Sequence, residues 1–148
     1  MGRLKFNFHT HRLGDWKVDN VTDMSCMFAG AASFDHPLGA WKVDNVTSMH
    51  AMFNGASSYR HPLADWRVDN VTTVSHMFQG AVAFNSDLSK WSVDRVTSVH
   101  AMFYNSAFNS DVSKWNVDKV TCNHFVHHRL DNGIHSAQRV EKNGDQSW

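Results

Sequence analysis

Residues 41–55 read Trp41-Lys-Val-Asp-Asn-Val-Thr-Ser-Met-His-Ala-Met-Phe-Asn-Gly55, and much of the chain restates them. The opening W-x-V-D-x-V-T returns at 16–22, 66–72, 91–97 and 115–121, which sets Trp16, Trp41, Trp66, Trp91 and Trp115 apart by 25, 25, 25 and 24 residues. A fixed period in the 20–50 range marks stacked repeats, because one such unit has an apolar face that only a neighbour can bury. Counting each unit from its leucine gives repeats at 13–37, 38–62, 63–87 and 88–111, with a partial fifth at 112–121. Residues 1–12 read as an N-terminal half-unit around Phe6 and Phe8, and 122–148 as a degenerate cap and polar tail. Stacked repeats need caps, so the ragged ends suggest part of a longer array or one sealed by a partner.

Within a repeat, Leu38-x-x-Trp41-x-Val43 has the spacing of a leucine-rich repeat strand. On a strand, Trp41 and Val43 face inward while Lys42 and Asp44 face out. A short helix is expected next. Thr47 is a suitable N-cap, Met49, Met52 and Phe53 form one apolar stripe, and Gly55 is a left-handed stop. The pairs Thr22/Gly30, Thr72/Gly80 and Thr97/Asn105 repeat that grammar. The expected fold class is therefore an α/β repeat solenoid, about four or five rungs, each a short strand plus a short helix. Its core columns are the leucines, tryptophans and valines, the inner methionines Met24, Met27, Met49, Met52, Met77 and Met102, and the closing Phe34, Tyr59, Phe84 and Phe108.

The 148 residues carry 14 basic and 14 acidic side chains and 42% hydrophobic residues, which suffices for a core and gives no basic surface for nucleic acid. Cys26 and Cys122 sit in the first and last repeats, about 19 Å apart at a rung spacing near 4.8 Å, and are expected as free thiols. The N-terminus lacks the apolar run of a signal peptide, and no stretch is long enough to span a membrane. No phosphate loop, nucleophile elbow, dinucleotide glycine set or C-x-x-C is present, so no enzyme and no cofactor is expected.

The polar columns are the candidate sites. Exposed strand positions put Lys17, Asp19, Lys42, Asp44, Arg67, Asp69, Lys90 and Asp94 on one face, the expected binding surface. Stacked carboxylates repel, and the basic residues two positions earlier are the expected remedy in place of a calcium ion, which wants six to eight oxygens. His36 and His61 share a column, and His124, His127 and His128 lie in the tail. These five are the candidates for metal binding, although no zinc spacing such as H-E-x-x-H occurs. His50 and His100 share another column, separated by Ser75. Asn20, Asn45 and Asn70 open N-V-T glycosylation triplets, which also arise wherever a turn asparagine precedes a threonine cap.

The run Val46-Thr-Ser-Met-His-Ala-Met-Phe-Asn-Gly-Ala-Ser-Ser-Tyr59, followed by Leu63-Ala-Asp-Trp66-Arg-Val68, resembles the 25-residue repeat of the BspA-like leucine-rich repeat surface proteins. The resemblance covers residues 13 to about 121. It implies a right-handed, leucine-rich-repeat-like stack in secreted or surface-anchored proteins of adhesive or unknown role, with no catalytic residues. The expected function is a non-enzymatic module that binds a protein or glycan through the strand face. The alternatives are an assembly subunit stacking on further chains through its ends, and a histidine-rich metal binder.

Overall fold

The segment whose methionine and phenylalanine spacing predicts a helix does not close one. The structure is a computed structural model and describes residues 12–121, 127–131 and 134–136. Among the described residues there is no α-helix. The regular elements are a 3-10 turn at Leu13–Asp15 and three short strands, β1 (Phe103–Tyr104), β2 (His127–Asp131) and β3 (Ile134–Ser136). The α/β class, with a strand and a helix in every unit, is therefore overturned, and the repeats are built from turns.

The reason lies in where the backbone N–H groups go. In a helix each would donate four residues back. Here the N–H groups of Cys26, Phe28 and Gly30 donate to the carbonyls of His50, Met52 and Asn54, at 2.8, 2.9 and 2.7 Å. The intervening Met27, Ala29 and Ala31 donate three residues back, to Met24, Cys26 and Phe28. Alternate residues thus turn the chain locally and tie it to the next repeat. The same lateral set runs from Ala51, Phe53 and Gly55 to Ser75, Met77 and Gln79, and from His76, Phe78 and Gly80 to His100, Met102 and Tyr104.

Two left-handed positions per repeat make this path. Gly30, Gly55 and Gly80 all have φ of 70°, and Asn105 has 54°, as the glycine-to-asparagine exchange predicts. The other position holds Cys26, Ala51, His76 and Ala101, at φ of 57, 52, 58 and 49°. A left-handed residue in the middle of the stretch rules out a continuous helix. Each non-glycine there costs about 1–2 kcal/mol, which the lateral bonds offset. Because Cys26 is exposed, Cys26→Gly should raise stability by about 0.5–1 kcal/mol, less than the full strain because glycine is freer when unfolded. A thermal melt checks this, and a lowered midpoint would count against the strain.

The tryptophan segments are not strands either. Trp41 and Val46 donate three residues back, to Leu38 and Val43. Neighbouring repeats meet at single parallel bridges, Asp23 with Ser48, Ser48 with Thr73 and Thr73 with Ser98. The threonines read as helix caps serve the same lateral joint. The Thr47 N–H (2.7 Å) and hydroxyl (3.0 Å) both donate to the Thr22 carbonyl, and Thr72, Thr97 and Thr121 repeat the contact one unit on. Period-two burial survives without a strand: Trp41, Val43 and Val46 are buried while Lys42 is exposed.

Inside, the aromatic residues form two parallel ladders. Phe28, Phe53, Phe78 and Phe103 follow one another at ring distances of 5.5, 5.5 and 5.8 Å. Phe34, Tyr59, Phe84 and Phe108 follow at 5.7, 6.1 and 6.3 Å. The ladders lean on each other at 4.0, 4.4, 3.9 and 3.8 Å within each repeat. Trp41, Trp66, Trp91 and Trp115 are buried beside them, and each indole N–H donates to a leucine carbonyl of the preceding repeat, at 2.8–3.0 Å. Met24, Met49, Met52, Met77 and Met102 are buried as expected. Met27 is not; it is 40% exposed in the first repeat.

Tyr59 is the one tyrosine in the second ladder, and its buried hydroxyl has no hydrogen-bond partner. Burial, and secondarily the Asp35 charge, push the phenol well above its ordinary range. An unpaired buried hydroxyl costs about 1–3 kcal/mol. Tyr59→Phe, matching Phe34, Phe84 and Phe108, should therefore be neutral or stabilising by about 1 kcal/mol in urea unfolding. A clear loss of stability would show that the hydroxyl has a partner after all.

The repeat register carries beyond Thr121. β2 pairs in parallel with β1, Phe103 opposite His127 and Tyr104 opposite His128, and β3 adds antiparallel through Arg129–Ser136, Leu130–His135 and Asp131–Ile134. A strand pair thus lies within the stretch read as cap and tail. Phe6, Phe8, Cys122, His124 and Trp148 lie outside the described residues.

Candidate functional site

The W-x-V-D-x-V-T segments hold their polar residues on a backbone whose apolar partners are buried. Lys17, Lys42 and Arg67 are exposed one repeat apart, and so are Asp19, Asp69 and Asp94, with Asp44 half-buried among them. The structure brings part of the column together. Arg67 lies between two carboxylates, Nη1 at 3.5 Å from Asp44 and Nε at 3.4 Å from Asp69. Such exposed pairs are worth about 0–1 kcal/mol each, so they order the face more than they stabilise the fold. The Asp94 carboxylate accepts from the Ser92 hydroxyl at 2.8 Å. Lys90 is exposed but belongs to a different column, that of Asp15, Ala40 and Asp65.

The asparagine column beside it is structural. Asn45 and Asn70 donate through Nδ2 to the carbonyls of Asp19 and Asp44, each at 2.7 Å, and Arg95 donates to the Asn70 side-chain oxygen at 3.0 Å. Two of the three glycosylation triplets therefore have their acceptor amide engaged between repeats.

A second set of carboxylates closes short turns. Asp23, Asp87 and Asp111 accept from the backbone N–H of Ser25, Ser89 and Ser113 at 2.8, 2.9 and 2.8 Å. These serines hold the carboxyls below the ordinary range, chiefly through the side chain for Asp23 and through the backbone N–H for Asp87 and Asp111. A lowered folded-state pKa means stability that is present above the unfolded value and lost as pH falls through the folded one. The turns should therefore loosen only below about pH 4, visible as acid-side loss of amide protection at Ser25, Ser89 and Ser113. Loss of that protection near neutral pH would contradict the assignment.

Of the candidate histidines, His36 is exposed and His61 is half-buried, with Nε2 at 3.0 Å from the Asp35 carbonyl and 3.2 Å from its carboxylate. Arg60 reaches the other Asp35 oxygen at 2.9 Å. His127 and His128 belong to β2. Among the described residues, no group of three or more His, Cys, Asp or Glu is placed to hold a metal ion. The count that set Ser75 between His50 and His100 misses the real neighbour. The His76 ring lies 5.6 Å from His50 and 4.9 Å from His100. The available signal was that histidine, like asparagine and aspartate, is enriched at left-handed positions.

Turn-built repeats, laterally bonded and presenting columns of side chains, define a tandem-repeat protein with an extended face. The chain belongs to the family described as Mycoplasma protein of unknown function, DUF285, which matches residues 3–115 and, in a second placement, 62–132. No curated protein matches the chain. No solved structure matches it. Among the described residues, no helix is long and apolar enough to cross a membrane.

Proposed function

We propose that the protein is a non-enzymatic binding module that recognises a protein or glycan surface through the face carrying Lys17, Lys42 and Arg67 with Asp19, Asp44 and Asp69. The observation that carries this reading is Arg67 spanning Asp44 and Asp69 across successive repeats, on a backbone tied laterally through Thr47, Thr72 and Thr97. Fixed charges at a regular spacing give an extended surface readable by a partner with complementary spacing, at little ordering cost. The resemblance to the BspA-like repeat proteins supports an adhesive role at a cell surface.

The test is a glycan array and a panel of candidate surface proteins probed with the wild type and with Lys42→Glu/Arg67→Glu. Because the changed residues are exposed, the variant should melt within about 1 kcal/mol of the wild type and lose at least most of its binding signal. Undiminished binding by the variant would remove this face from consideration.

One observation favours a second reading, assembly through the first repeat. Met27 is 40% exposed, whereas its equivalents Met52, Met77 and Met102 are fully buried. Light scattering over a dilution series separates the two readings: a mass that rises with concentration and falls back in Met27→Lys supports assembly.

A further inference from the structure

We propose that His76 and His100 form a binding site for a borderline divalent transition-metal ion of the Zn²⁺ or Ni²⁺ class. The two rings are in contact across neighbouring repeats, with centres 4.9 Å apart and planes at 74°. Two imidazoles that share a tetrahedral ion at about 2.0–2.1 Å per nitrogen have ring centres about 5 Å apart, the separation observed here. Imidazole suits this class of ion, and hard cations such as Ca²⁺ prefer oxygen.

The surroundings of each ring point the same way. His76 Nδ1 lies 2.6 Å from the Gln79 side-chain oxygen, which can only accept, so Nδ1 carries a proton and Nε2 is the nitrogen left to bind a metal in the neutral ring. Asn54 donates to the same oxygen at 3.3 Å and fixes the orientation of the Gln79 amide. A metal-binding histidine is ordinarily held in this way, its second nitrogen donating to an oriented oxygen. On the other ring, His100 Nδ1 is buried and has no hydrogen-bond partner. His50, one repeat back, lies 5.6 Å from His76 and is not a ligand of the pair. With two protein ligands the remaining positions belong to water, and binding is weaker and more easily reversed than at a four-ligand structural zinc.

The site owes its existence to the backbone. Residue 76 sits at the left-handed position, and its N–H donates to the His100 carbonyl at 2.8 Å, which sets the two residues side by side although 24 positions separate them.

The experiment is calorimetric titration of the full chain with Zn²⁺ and with Ni²⁺, alongside ¹⁵N spectra of the histidine rings during the Zn²⁺ titration. The expected result is one ion per chain, with the His76 and His100 ring signals moving together in the first equivalent. His76→Asn, which tolerates the left-handed backbone, and His100→Gln should each lower the affinity about tenfold or more. Gln79→Leu, removing only the positioning oxygen, should lower it by about tenfold. The triple variant His124→Gln/His127→Gln/His128→Gln, and His36→Gln with His61→Gln, should leave that binding step intact. No uptake of either ion by the full chain would overturn the proposal. So would first-equivalent shifts confined to His36, His61 or the three C-terminal histidines, a readout on the wild type that does not depend on any variant folding.

Discussion

Trp66→Ala is expected to destabilise the protein by about 3–5 kcal/mol, a large share of the 5–15 kcal/mol typical of a domain. Trp66 is 3% exposed at the centre of the array, and its indole N–H donates to the Leu38 carbonyl at 3.0 Å. Truncation removes the ring and leaves that carbonyl with the Trp41 N–H as its remaining donor. Trp66→Phe separates the two effects, because it keeps most of the apolar volume and should cost less than truncation, with about 1 kcal/mol of its cost due to the lost hydrogen bond. Trp16→Ala, at a half-buried position in the first repeat, should cost clearly less than Trp66→Ala. Urea unfolding followed by circular dichroism reads all three. If Trp66→Ala and Trp16→Ala unfolded at the same denaturant concentration, the tryptophan column would not be what joins the repeats.

Phe78→Ala should cost a similar 3–5 kcal/mol and reveal how the ladders act together. The ring is fully buried and meets Phe53 at 5.5 Å, Phe84 at 3.9 Å and Phe103 at 5.8 Å. Parallel aromatic pairs contribute about 0.5–1.5 kcal/mol beyond the area they bury. A double-mutant cycle between Phe78→Ala and Phe84→Ala should therefore show a coupling in that range, because the rings are in direct contact. The cycle with Phe28, two repeats away, should close to within about 0.3–0.5 kcal/mol. Equal couplings in both cycles would point to collapse of the whole array upon either substitution and would argue against a ladder of neighbour contacts.

Most of the buried columns and the left-handed glycines were legible because each follows from side-chain type at a fixed period. Val43, Val46, Leu63 and Phe84 are apolar every time their column comes round, and they are buried. Gly30, Gly55 and Gly80 announce a positive φ, and Asn105 confirms it by being the usual substitute. The polar face was legible for the same reason, since Lys42 and Arg67 alternate with buried neighbours.

The helix was misread because Met49, Met52 and Phe53 at i, i+3 and i+4 fit a helical stripe and a tight turn equally well. What decides between them is whether alternate N–H groups are claimed by the next repeat, and that is a contact between residues about 25 positions apart. Cys26, Ala51 and Ala101 give no local warning of a left-handed backbone, because their side chains disfavour it, and His76 is the one residue of the four whose type is enriched there. The neighbour bonds impose it. The same cause hid the histidine pair, since His76 lies one residue out of the count that aligns His50 with Ser75 and His100.

The sequence alone determined that the chain repeats and, Met27 apart, which side chains face inward and which polar columns face out, because periodicity assigns a side chain to a face whatever the backbone does between. Only the tertiary structure decided that the units are turns without helices, that threonine hydroxyls and indole N–H groups bond the preceding repeat, and that His76 touches His100. Each of those depends on a hydrogen bond or ring contact made between repeats, and no single 25-residue unit contains both partners.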